Sequence, residues 1–399
     1  MSGTARLVIA VGIVCLIVTM GIRQSFGIFL TPLAIDLDIG RQAFGLAIAV
    51  QNLVWGLAQP FVGAIADRWG ALRVTVIGAL LYAAGLVLTT LTTGPLGLTL
   101  TLGGMVGLAF TGATYVTVLG AVGRVVPAER RSIAFGICTA AGSFGMFAVV
   151  PGAQGLLDAF GWRDAFIVMA IAVSLLVPLA WGFRPSDRLL GDAGPGQTIG
   201  AAIREASVHG GFWLLIAGFF VCGFHVAFIA THLPAYLGDY GLPTSVNAWA
   251  LAMIGLFNVF GSYLAGLLGQ RYRQKHLLAA LYALRGVVIA IFLLLPVSAA
   301  SAVAFGAAIG FLWLGTLPLT SGTVARIFGV QYLSMLYGVV FASHQVGAFF
   351  GAWGAGYAYD VLGSYDSVWI ASILLAGFAA LIHLPIDDRP LARLAAAPA

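Results

Sequence analysis

Arg23, His225 and His344 are the side chains whose chemistry needs explaining. Each lies in a long apolar stretch of a 399-residue chain, and none of the 14 Asp and Glu residues falls deep inside such a stretch, Asp164 and Asp366 standing only at the outer ends of two of them. A charge at the centre of a bilayer costs about 2.5–3.5 kcal/mol on insertion scales, so it persists where it meets water, a partner or a ligand. Three cationic or potentially cationic groups with no carboxylate at their depth would be compensated by an anion. Arg suits a carboxylate because its planar fork donates two parallel bonds. The alternatives are structural. Arg23 could donate to carbonyls or to Gln51, Asn52 and Gln59, and a lone His in a bundle can bridge two helices. His232, two turns beyond His225, is a weaker candidate. Uncharged candidates are Tyr115, Thr117, Trp313, Thr316, Asn258, Tyr263 and Gln345. Aromatic rings with polar tips suit a site that holds an apolar stem and a polar head.

These residues need a membrane to hold them. The chain is 61% hydrophobic and 8% charged, with a mean hydropathy of +1.02. Soluble domains carry about 25% charged residues, so a soluble enzyme, a nucleic-acid binder and a secreted disulfide scaffold are excluded. A bilayer-crossing helix takes about 20 apolar residues. Twelve such stretches run at roughly 6–33, 41–66, 72–93, 96–123, 132–157, 162–183, 210–238, 246–269, 277–297, 299–324, 332–358 and 366–386. The longest polar break, 184–209, contains Gly-Pro-Gly at 194–196 and Asp192. It divides the chain into an N-terminal six-helix bundle, 1–183, and a C-terminal one, 210–399. The apolar run after Arg6 has no small-residue cleavage site and continues through Phe29, so it reads as the first span and not as a signal peptide.

Orientation follows from the basic residues. Fifteen of the 19 Lys and Arg residues fall in loops or at span ends on the side of the N-terminus, two (Arg41 and Arg163) at span ends on the other, and two (Arg23 and Arg285) deep within spans. That bias places both termini on the cytoplasmic side, and a bacterial-type inner membrane is the expected setting. The bias also accounts for the pI near 9.3 without nucleic acid. Cys15, Cys138 and Cys222 sit in separate apolar stretches with neither metal spacing nor evident pairing, so no metal or cofactor is expected.

The two halves match at an offset of 202 residues. Gly21 and Pro32 fall on Gly223 and Pro234, Arg124 on Arg326, Gly136 and Gly145 on Gly338 and Gly347, and Asp158 and Gly161 on Asp360 and Gly363. Arg23 falls on His225. Secondary transporters are often built from such repeats, with the site near the midplane.

The loop after the second span reads Gly63-Ala-Ile-Ala-Asp67-Arg68-Trp69-Gly70-Ala-Leu-Arg73, and Pro127-Ala-Glu-Arg130 precedes the fifth span. Both resemble signatures of the major facilitator superfamily. The second half carries a degenerate echo, Gly266-Leu-Leu-Gly-Gln270-Arg271-Tyr272-Arg273, with Gln270 in place of the acid. The resemblance covers the whole chain. It implies an all-α fold of twelve transmembrane helices in two six-helix halves. It also implies a latch of Gly63, Asp67, Arg68, Gly70, Arg73 and Arg130, in which the Asp caps a neighbouring helix and pairs with Arg. On its map, helices 1, 4, 7 and 10 line the cavity and helix 9, with Arg285, is peripheral. Arg285 is therefore left to structural pairing. Arg23-Gln-Ser-Phe-Gly-Ile-Phe-Leu-Thr-Pro32 resembles the helix 1 signature of the monocarboxylate transporter and oxalate/formate antiporter branch. The eighth span departs from that branch: it reads Gly255-Leu-Phe-Asn258-Val-Phe-Gly-Ser262, with no Arg at the point where an Asp–Arg pair is usual. His344 stands where the oxalate carrier has a Lys.

The expected function is secondary transport of small organic anions, chiefly monocarboxylates, by rocker-switch alternating access. The coupling is to protons or to a second anion. The substrate-binding set is Arg23, His225, His344, Tyr115, Thr117, Asn258, Trp313 and Gln345. His225 and His344 are the candidate proton carriers, because His titrates near neutral pH. With a single lysine, Lys275, the chain has no nucleotide-binding G-x-x-x-x-G-K-[ST] loop. A multidrug or metabolite exporter is the rival reading, and the missing span acids count against it. A sensor or a membrane enzyme would need a soluble domain or a catalytic constellation that the sequence lacks. The expected assembly is a monomer.

Overall fold

The computed structural model describes residues 2–39, 41–189 and 197–395. Asp192 and the Gly-Pro-Gly at 194–196 lie outside the described residues, as do the side chains of Arg41, Pro234 and Asp360. Among the described residues, twelve helices are long and apolar enough to cross a membrane. They are α1 (Gly3–Ser25), α2 (Leu46–Trp69), α3 (Ala71–Thr90), α4 (Pro95–Val125), α5 (Ala128–Val149), α6 (Gly155–Arg188), α7 (Gly210–Leu233), α8 (Trp249–Arg271), α9 (Gln274–Leu294), α10 (Ala299–Phe328), α11 (Leu333–Tyr359) and α12 (Asp366–His383). Helices are the form such sequences take, because lipid offers no partner for a free N–H or C=O. The helices overrun the apolar stretches at their ends, so Asp67 and Asp187 sit in the last turns of α2 and α6. A short linker helix, Ile199–Val208, precedes α7.

The chain packs as two compact units. One holds Met1–Pro127, Ala141–Ile199 and Val330–Gly338, and the other Ala128–Ala140, Gly200–Gly329 and Val339–Ala399. The exchanged pieces have local causes. Gly136 of α5 lies so close to α8 that a Cβ there would stand 2.8 Å from the Gly266 Cα. The start of α11 packs on α2, where a Cβ on Gly338 would meet the Gln59 carbonyl at 3.0 Å.

Within the first unit α4 is central: 89% of its most apolar stretch is buried, against 28% for α2, whose Leu57 and Phe61 face outward. Within the second, α10 is the most enclosed at 72%, against 33% for α12. The repeat is visible in the helix crossings of each unit. Gly145 of α5 packs on the Ile17 carbonyl of α1, and Gly347 of α11 packs on the Phe220 carbonyl of α7; a Cβ would meet these oxygens at 2.3 and 2.0 Å. Small residues permit such backbone approach, which is what draws helices together in lipid.

Both central helices are broken, and at matching positions. In α4 the helix stops at Ala113, Thr114 is extended (φ −122°, ψ −164°), and the helix resumes at Tyr115. In α10 it stops at Phe311 and resumes at Thr316, 202 residues after Thr114. A break leaves helix-end carbonyls to be satisfied. In α4 neutral side chains do this. Gln59 and Thr117 donate to the Thr111 carbonyl at 3.1 and 2.8 Å, Thr75 to Gly112 at 3.2 Å, and Thr19 to Ala113 at 3.2 Å.

After α12 the chain runs as a strap along the second unit. Lys275 donates to the Leu384 and Ile386 carbonyls at 2.9 and 2.7 Å. Arg273 pairs with Asp388. The Leu391 N–H bonds to the Ile327 carbonyl at 3.1 Å, and Arg393 donates to the Phe328 carbonyl at 2.7 Å. Arg393 also pairs with Glu205 of the linker helix at 3.0 Å.

Candidate functional site

In the first unit the site is built around Arg23. Its Nη2 donates to Asn52 Oδ1 at 2.8 Å, and its guanidinium lies 5.1 Å above the Trp55 ring and 6.0 Å from the Phe110 ring. Asn52 and Trp55 share a face of α2 because they are three residues apart. Trp55 Nε1 donates to Gln59 Oε1 at 3.0 Å, and Gln51 donates to the Leu102 carbonyl at 2.8 Å. Gln51 and Gln59 therefore serve α4, whereas Asn52 and Trp55 serve Arg23. Tyr82 and Tyr115 lie within electrostatic range of the guanidinium. The buried Nε of Arg23 has no hydrogen-bond partner. A guanidinium with one N–H held by Asn52 and its buried Nε open, above an aromatic floor, has the chemistry to receive an anion. Tyr115 is buried with its hydroxyl over Gly142, where a Cβ would stand 2.2 Å away. Thr117 is turned to its own helix break.

In the second unit His344 stacks on Phe341 at 5.6 Å with a 3° interplanar angle and lies 4.9 Å from Phe219. Its Nδ1 reaches Gln345 Oε1 at a long 3.4 Å, and the buried Gln345 Nε2 has no partner. These adjacent residues form a second polar spot with an open donor. His225 lies elsewhere: its Nε2 donates to the Ser372 carbonyl of α12 at 2.9 Å. That bond fixes Nε2 as the protonated nitrogen and turns the ring toward α12. His232 bonds the Ala352 carbonyl at 2.7 Å and the Tyr365 hydroxyl at 3.2 Å. Asn258 Oδ1 accepts from the Leu314 N–H and from the Ser262 hydroxyl, both at 3.0 Å, so it holds the α10 break. Trp313 lies in that break, 6% exposed. Thr316 Oγ1 is 3.2 Å from Cys222 Sγ.

The latch residues sort themselves by burial. Asp67 accepts from Arg124 Nη1 at 3.1 Å and from the Met335 N–H, in the first turn of α11, at 2.7 Å. An anion at a helix N-terminus satisfies an orphan amide and meets the positive end of the dipole. Gly63 lets this approach happen, because a Cβ there would stand 2.5 Å from the Ser334 carbonyl. Gly70 takes φ +99°, and the Asp187 carboxylate packs over it and accepts from the Ala71 and Leu72 amides at 2.8 and 3.0 Å, capping α3. Arg68, Arg73 and Arg130 are exposed; Arg68 lies over the Trp69 ring at 5.5 Å. The base on Asp67 is Arg124, which also donates to Ser186 at 3.1 Å. Arg124, Ser186 and Asp187 were missed in the sequence, although the matching of Arg124 with Arg326 was a signal.

The candidate spans describe a multi-pass membrane protein. The family model for the Major Facilitator Superfamily matches residues 12–322. The chain belongs to that superfamily, whose members are transporters and not enzymes. It is 23% identical over 388 residues to the uncharacterized MFS-type transporter YcxA of Bacillus subtilis, covering 93% of this chain and 92% of that protein. It is 27% identical over 381 residues to monocarboxylate transporter 13 of Bos taurus, covering 92% and 85%. It is 28% identical over 389 residues to human monocarboxylate transporter 11, covering 92% and 79%. Among solved structures, the E. coli fucose:proton symporter FucP superposes with a TM-score of 0.67 at 14% identity, covering 94% of this chain and 97% of that one. The proton:xylose symporter XylE superposes with a TM-score of 0.72 at 15% identity, covering 95% and 94%. At such identity the structural likeness speaks for the fold alone.

Proposed function

We propose that this protein is a secondary transporter of small monocarboxylates working by rocker-switch alternating access. The observation that carries the reading is Arg23: a cation in a bilayer helix, held by Asn52 and Trp55, with one buried donor open. The monocarboxylate transporters among its relatives support that substrate class. His344, beside the open amide of Gln345, is the better proton carrier, because His225 is bonded to a carbonyl of α12. The proposed setting is an inner membrane with both termini cytoplasmic, and the proposed assembly is a monomer. The halves 1–183 and 210–399 are the moving bodies, and Asp67 with Arg124 and Met335 is the latch between their states.

The test is uptake of labelled lactate, pyruvate, acetate, formate or oxalate into proteoliposomes, with and without a pH gradient. Uptake of at least one acid, lost in Arg23→Gln, is expected. Removing a charged hydrogen bond that a substrate needs lowers its affinity by roughly 10- to 100-fold. Absence of any carboxylate uptake or exchange, or an Arg23→Gln protein that transports like wild type, overturns the reading.

A further inference from the structure

The break in α10 meets a fully buried charge. Arg285 of α9 is 1% exposed and makes no ion pair among the described residues. Its Nε and Nη2 donate to the Leu312 carbonyl at 2.9 and 2.7 Å, and Nη2 also donates to the Trp313 carbonyl. Those two residues follow directly on Phe311, where the first half of α10 ends. A helix C-terminus carries unsatisfied carbonyls and the negative end of the dipole, so a cation is favoured there. These carbonyls act as the counter-charge that no carboxylate supplies. From α8, Asn258 holds the other side of the break through the Leu314 N–H. The backbone that leaves the helix at 312–314 is thus held from both sides. Among the described residues, the carbonyls at the matching break in α4 accept from neutral side chains, three threonines and a glutamine.

We propose that Arg285 is a positioning residue of the transporter: it fixes the α10 break and so orients Trp313 and the start of the second half of α10, without touching substrate. The consequence for substrate rests on the transport reading above. Its cause rests on the geometry of α9 and α10. A role as direct anion ligand is the competing assignment, and the two differ in what Asn258 does. If Arg285 works through the break, removing Asn258 reproduces its loss.

Cys222 provides a readout that needs no substrate. Its buried thiol lies 3.2 Å from the Thr316 hydroxyl, where α10 resumes. In the full chain carrying Cys15→Ala and Cys138→Ala, labelling of Cys222 by N-ethylmaleimide reports opening of the break. Arg285→Met and Asn258→Leu are each expected to label roughly tenfold faster or more, the effect of losing a charge-assisted or buried hydrogen bond from a local opening equilibrium. Arg285→Lys restores part of the protection, since an ammonium keeps the charge beside the carbonyls but lacks the planar fork. Thr75→Val, at the α4 break, leaves Cys222 protected. In uptake, Arg285→Met raises KM and Arg285→Lys raises it less, whereas a mere loss of folded protein lowers the maximal rate alone. The proposal is overturned if a monodisperse Arg285→Met protein keeps Cys222 as protected as wild type. Should that variant not purify, Asn258→Leu labelling like wild type overturns it. Failure of carboxylate uptake by the wild type sinks the transport reading and leaves the labelling result standing.

Discussion

Asp67 and Arg124 are both buried, with side chains 0% and 4% exposed. Removing one partner of such a pair leaves an uncompensated charge, which costs about 3–5 kcal/mol. Asp67→Ala is therefore expected to lower thermal stability in detergent far more than Arg68→Ala, whose side chain is exposed; equal melting temperatures for the two variants would contradict this. A second test uses Gly120, where a Cβ would stand 1.9 Å from Ser334 Oγ. Gly120→Ala destabilises, and adding Ser334→Ala recovers most of the loss, because the clashing atom is gone. Gly63→Ala is not recovered this way, since it meets the Ser334 backbone. The sequence loop already marked Gly63, Asp67 and Gly70. It could not show that the base on Asp67 is Arg124 and not Arg68, because 57 residues separate the pair and only the fold brings them together. Arg23 was legible as a charge within an apolar run without an acid. Asn52 was one of several polar candidates on α2, and the choice among them depended on which helix each faces.

The twelve helices were legible because long apolar runs have one structural solution in lipid. The breaks in α4 and α10 were not, since hydropathy continues across them and their partners lie on other helices. Asn258 illustrates the point: read as a site residue from its polarity, it bonds the backbone of α10. The glycines of the repeat were legible, and their role follows from contact. Gly347→Ala would drive a Cβ to 2.0 Å from the Phe220 carbonyl, whereas Gly377 of α12 has nothing within 4 Å. Gly347→Ala should therefore separate α11 from α7 and reduce the yield of folded protein. Gly377→Ala should be tolerated or stabilising, by about 0.5–1 kcal/mol from helix propensity. Paired measurements of melting temperature in one detergent check both signs.

At the scale of the molecule, the strap after α12 ties the linker helix to the second unit. Asp387 is held below the usual carboxylate range by hydrogen bonds from Arg389. Burial pushes Asp388 up, but the hydrogen bond and charge of Arg273, with Arg326 beyond, outweigh it and hold it low as well. Both carboxylates are depressed in the folded state. Their contribution is therefore present above the ordinary carboxylate pKa of about 4 and is lost only as pH falls through the depressed values. Hydrogen exchange of the linker helix, corrected for intrinsic rates, should be flat between pH 5 and 8 and rise only in stronger acid. Arg393→Ala should raise it at every pH, and high salt should do so partly, because the Arg393–Glu205 pair is a third exposed and screened. A pH-dependent rise between 8 and 5 would contradict the assignment.

The strap also sets an order of assembly. Glu205 and Arg393 are 188 residues apart, a delay of roughly 10–40 seconds at about 5–20 residues per second of synthesis. The linker helix leaves the ribosome long before its clasp exists, and the first unit waits in the same way for Val330–Gly338. Neither unit can close before most of the other has been synthesised, so membrane insertion of the twelve helices must precede the final packing of both.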